Sequence, residues 1–127
     1  MNIDLLNGLL HCETDVVGAL RRFCDDETLY ITCLRDFCDD PTVEELDRTI
    51  TEQAWDDAFT AAHALKGLVG NMGFVPLFHS TGELVLLIRA GKIGQVSASM
   101  RQLHKNYDEV ISVIKAHLDT NSSVGGK

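Results

Sequence analysis

Apolar residues recur at steps of three and four along most of this chain, and no segment shows the strict alternation of a half-buried strand. The clearest series is Ile93, Val96, Met100, Leu103, Tyr107, Val110 and Ile114, which predicts one long amphipathic helix running towards Leu118. Near the other end, "TDVVGALRRF" sets Val16, Val17, Ala19, Leu20 and Phe23 at helical spacing, with Thr14 as the predicted N-cap. The preceding "IDLLNGLL" has the spacing for a further turn or two, interrupted by Asn7 and Gly8. After the turn-like "CDDE", Leu29, Tyr30, Cys33, Leu34 and Phe37 form the stripe of another helix.

Punctuation is sparse. Asp40 and Pro41 read as an N-cap and first residue for "PTVEELDRTI", which either restarts or kinks the preceding helix. Trp55 opens a central helix whose first turn carries Asp56 and Asp57, where carboxylates meet the positive end of the helix dipole. Gly73 ends it, Pro76 falls in the first turn of "PLFHSTGELVLLIRA", and Gly91 closes that helix after Arg89. The tail "DTNSSVGGK" is expected to be disordered. With helices throughout and only two prolines, the economical architecture is all-α, an antiparallel helical bundle with short loops.

The chain has 127 residues, 45% hydrophobic and 24% charged, which suits a single domain across 1–127 with its core at about 14–118. Its formal net charge of −8 removes nucleic acid as a partner, because binding a phosphate backbone needs many lysines and arginines. No apolar run approaches a membrane span, and the start of the chain lacks the basic segment of a secretory signal. A cytoplasmic protein with no membrane partner is expected. Cys12, Cys24, Cys33 and Cys38 form no C-x-x-C pair, so they are read as reduced, small core hydrophobes.

One stretch needs a further explanation. "AAHALKGLVGNMGF" holds three glycines, and each glycine inside a helix costs about 1 kcal/mol relative to alanine. At 100° per residue, Ala58, Ala61, Ala62, Leu65, Leu68, Val69 and Met72 share one arc, which faces the core. His63, Lys66, Gly67 and Gly70 fall on the other side, where the glycines strip side chains from the surface beside an exposed imidazole. A neutral imidazole has a free lone pair on one ring nitrogen and acts as a nucleophile without a dedicated base. Lys66, one turn on, offsets phosphate charge, and Phe59, one turn before, offers an apolar docking contact. Packing at the core boundary accounts equally well for Phe59. Neither a G-x-x-x-x-G-K-[ST] loop nor G-x-G-x-x-G occurs, so a phosphoryl group must come from another protein.

"AHALKG", Gly73 ten residues after His63, and then Leu77 resemble the histidine-containing phosphotransfer (HPt) domains of two-component phosphorelays. The likeness extends through "ALRRFCDDETLYITCLRDF", "AWDDAFTAAHALKG" and "LLIRAGK", covering roughly Asp15 to Leu118. The resemblance implies an antiparallel up-and-down four-helix bundle with additional short N-terminal helical segments. It makes His63 the phosphoacceptor, Lys66 its electrostatic partner, Gly67 the clearance for docking and Gly73 the turn into the next helix. Gly70 and Phe59 join the docking face. The implied partners are the receiver domain of a hybrid sensor histidine kinase and that of a response regulator, each met by a monomer. No cofactor is expected on this chain, since Mg2+ belongs to the receiver. The family often has small or hydroxyl residues after the glycine, where Leu68 and Val69 stand here; both lie on the core arc.

Two other classes compete. A carboxylate-bridged metal enzyme in a helical bundle needs Glu-x-x-His pairs, and the sequence has none. An adaptor that docks receivers without taking phosphate is separated from a carrier by labelling alone. His11, His79, His104 and His117 are dispersed, and nothing in their spacing marks a second acceptor.

Overall fold

The computed structural model describes residues 1–118, so the expected tail at 119–127 lies outside the described residues. Those residues form helices α1 (Ile3–His11), α2 (Val16–Arg22), α3 (Glu27–Cys38), α4 (Thr42–Thr51), α5 (Trp55–Met72), α6 (Val75–Arg89) and α7 (Val96–His117), with a 3₁₀ turn at Ile93–Gln95. The described fold is all-α, apart from one isolated backbone bridge between Thr14 and Phe74. Ile93, assigned by periodicity to the last helix, lies in the 3₁₀ turn before it and is 39% exposed.

Local signals place most boundaries, with corrections at the N-termini. The N-cap of α2 is Asp15, whose carboxylate accepts from Gly18 N–H at 3.0 Å. Thr14, expected in that role, is buried instead, with its hydroxyl 3.6 Å from the Cys12 thiol. The N-cap of α4 is Pro41, not Asp40, so the proline precedes the first helical residue rather than forming it; Asp40, one position earlier, accepts from Thr42 N–H at 2.9 Å. The chain restarts there as a separate helix.

Helix α1 is a full part of the fold. Asn2 caps it by accepting from Asp4 and Leu5 N–H, and Leu5 and Leu9 are completely buried, which moves the core's start from about residue 14 to residue 5. Gly8 lets α1 lie close on α7: a Cβ there would sit 2.8 Å from Val113 Cγ1. The cysteines are all free, but none belongs to the fully buried core, and Cys24 is exposed. Leu29 likewise departs from its predicted stripe and is 45% exposed.

Helices α5 and α6 share the largest interface, flanked by α4 against α5 and α7 against α6, while α3 touches α7 and α5. Ala58, Ala61, Ala62, Leu65, Val69 and Met72 are the buried face of α5, as the 100° wheel predicts; Leu68, at the arc's edge, is half-buried. Buried Asn106 of α7 donates to Pro76 O and Ser80 Oγ, tying the start of α6 to the last helix.

Candidate functional site

The site rests on the hairpin of α5 and α6, whose turn is tightly determined. Gly73 adopts a left-handed backbone (φ 82°), and the pair of bonds Phe74 N–H to Val69 O and Gly73 N–H to Gly70 O closes α5. A Cβ at Gly73 would lie 2.5 Å from Asp15 O, so both the backbone angle and the neighbouring chain require glycine. A helix end leaves its last carbonyls without partners. Here three are met from outside α5: Arg22 Nε donates to Asn71 O (3.2 Å), Tyr30 Oη donates to Met72 O (2.9 Å), and Asp15 N–H donates to Gly73 O (2.7 Å). Burial pushes the Tyr30 phenol well above its usual range, keeping it a neutral donor.

On the outer face of this hairpin His63 is exposed. A Cβ built at Gly67, one turn on, meets nothing within 4 Å, so the approach over that turn is open. Phe59 is half-buried, with its ring centroid 6.0 Å from that of His63. The sequence reading of His63, Gly67 and Phe59 as neighbours on one face therefore matches their placement.

Gly70 needs correcting. It does not add bare surface, because a Cβ there would lie 3.1 Å from two carbons of the Phe78 ring; its lack of a side chain seats that ring against α5. Lys66 turns towards α6. Its ammonium sits over the Phe78 ring, 5.5 Å from the centroid, and its stem passes Gly82, where a Cβ would be 3.6 Å from Lys66 Cε. A second cation lies at the other end of the face, with Arg89 Cζ 5.3 Å from the Phe59 centroid.

The antiparallel register of the hairpin explains these pairs. Gly70 faces Phe78, Lys66 passes Gly82 and Phe59 meets Arg89, so the register brings His63 level with buried Val85, next to Leu86, which is 62% exposed. Phe78, Gly82, Leu86 and Arg89 recur at helical steps of four, four and three. That spacing is legible in the sequence, but only a folded register attaches it to His63. A cavity of about 150 Å³ borders the far end of the face, lined in part by Arg22, Val69, Phe74 and Phe78.

A family model for the Hpt domain matches residues 32–113, more than half of the chain, and spans α4 to α6 entire. The chain belongs to the Hpt-domain family. Hpt domains carry out histidine phosphotransfer in two-component systems by engaging receiver domains, and they are phosphocarriers without kinase activity of their own. No curated protein and no solved structure matches this Hpt domain significantly. Among its described residues, no group of three or more His, Cys, Asp and Glu side chains is arranged to hold a metal ion, and no helix is long and apolar enough to cross a membrane.

Proposed function

We propose that His63 is the residue that carries the phosphoryl group, accepting it from the aspartate of one receiver domain and returning it to the aspartate of another. The observation that carries this reading is the exposed imidazole beside a helical glycine with nothing within 4 Å of its absent side chain, an opening through which another protein reaches the ring. In the step, a neutral ring nitrogen of His63 gives its lone pair to phosphorus, and the N–P bond forms as the P–O bond to the aspartate breaks. The carboxylate leaves with that electron pair. The proton on the other ring nitrogen stays or passes to water, so no base on this chain is needed. Mg2+ is expected to come with the receiver.

Lys66 is the electrostatic partner in this reading. An exposed cation–π contact is worth about 0.5–1 kcal/mol. A hydrogen bond to a charged group is worth about 1.5–3 kcal/mol. A phosphoryl group on His63 would compete with the Phe78 ring for that ammonium. Helices α4 to α7 packed in succession, with α3 against α7, support an up-and-down four-helix bundle as the scaffold. Partners are the receivers of a hybrid kinase and of a response regulator, and Phe59 and Gly67 belong to the docking face.

The test is incubation with phosphorylated receiver domains. Label should appear as an acid-labile, base-stable phosphoramidate, be absent from His63→Gln, and not arise from ATP alone. Because His63 is exposed, the melting temperature of His63→Gln should stay within the range of a neutral surface change, about 0.5 kcal/mol. Labelling of His63→Gln would overturn the assignment.

A further inference from the structure

We propose that Phe78 tunes how strongly His63 holds its phosphoryl group, by keeping Lys66 on its ring while the histidine is bare. This rests on the reading of His63 as phosphoacceptor. Three observations build the device. Gly70 allows the Phe78 ring to lie against α5, the Lys66 stem passes Gly82 at a distance that a Cβ would meet in ordinary contact, and the ammonium ends 5.5 Å from the ring centroid. Among the described residues no carboxylate forms an ion pair with Lys66, so the ring is its principal partner in the unphosphorylated protein.

The consequence is thermodynamic. Lys66 and His63 are three residues apart on α5, which puts the ammonium within a side chain's reach of a phosphoryl group on the imidazole, and in the proposed device it leaves the ring to meet that group. A contact made only in the bare state stabilises that state and weakens phosphoryl retention by the same factor. Phe78 touches no reacting atom; it acts through Lys66 as a positioning residue. Removing the ring should shift the balance between aspartyl phosphate and phosphohistidine towards His63 by about two- to fivefold, the factor equivalent to an exposed cation–π contact.

The experiment brings a phosphorylated receiver to equilibrium with the full chain and measures how label divides. Phe78→Leu should move label to this protein by about two- to fivefold, while Phe78→Tyr, which keeps a ring, should match the unmutated protein. In a Lys66→Gln background, Phe78→Leu should change nothing. An unshifted ratio for Phe78→Leu, or the same shift with Lys66 absent, overturns the proposal. A second readout needs no partner: the Lys66 Hε protons should resonate upfield in the ring current of Phe78, and move downfield in Phe78→Leu and after chemical phosphorylation of His63 with phosphoramidate. Persistence of the upfield shift after phosphorylation also overturns it. If phosphoramidate releases Lys66 but no receiver transfers label, the relay reading fails and the coupling of Phe78 to the phosphohistidine stands.

Discussion

Gly67 and Gly70 stand one turn apart on α5 yet do different things, and substitution should separate them. At Gly67 a new Cβ meets open space, so Gly67→Ala should stabilise the protein by up to about 1 kcal/mol, the difference in helix propensity. Gly67→Gln should hold the melting temperature but slow transfer from a phosphorylated receiver, because its side chain fills the approach to His63. At Gly70 the Cβ would lie 3.1 Å from the Phe78 ring, which must give way. Gly70→Ala should therefore gain less stability than Gly67→Ala in thermal melts. Equal gains would mean that Phe78 is not seated on Gly70.

At the level of elements, the end of α5 depends on groups that its own sequence does not contain. The Tyr30 hydroxyl on α3 satisfies Met72 O, and Tyr30 is fully buried. Tyr30→Phe leaves that carbonyl without its partner and should cost about 1–3 kcal/mol, read from the urea midpoint. The pH dependence follows from the direction of the shift. Burial raises the phenol's folded pKa above its unfolded value of about 10, so its stabilising contribution is complete below that pH and is lost as pH climbs through the folded pKa. Tyr30→Phe should therefore flatten the alkaline fall in stability. Tyr107, also pushed up by burial, should leave part of that fall in place.

For the whole molecule, the sharpest question is whether α1, the first of the helices before the matched region, is an appendage. Leu5 and Leu9 are fully buried in contact with the rest of the core, and burying a leucine is worth about 1.5–3 kcal/mol. Deleting residues 1–13 should lower stability by several kcal/mol, seen as a large fall in melting temperature. Leu10, 53% exposed on the same helix, provides the control: Leu10→Gln should change stability by no more than about 0.5 kcal/mol. A truncated chain that melts with the full one would show α1 to be dispensable.

Periodicity alone determined the helical class, the buried arc of α5 and the exposure of His63, because all three depend on the 3.6-residue turn of one segment. Residue type placed the Gly73 stop and the Pro76 start, since glycine and proline limit the local backbone. Helix α1 was harder to read: Asn7 and Gly8 weaken its propensity, and close contact with α7 at Gly8 compensates for that. The destinations of the Lys66 and Arg89 side chains, and the task of Gly70, were decided only by tertiary structure. Each depends on which residue of α6 stands opposite which residue of α5. That register is set by the Gly73 turn and by bonds from Asp15, Arg22 and Tyr30, residues more than 40 positions away from it in the chain. Spacing within a segment defines a face; only contact between segments defines what that face meets.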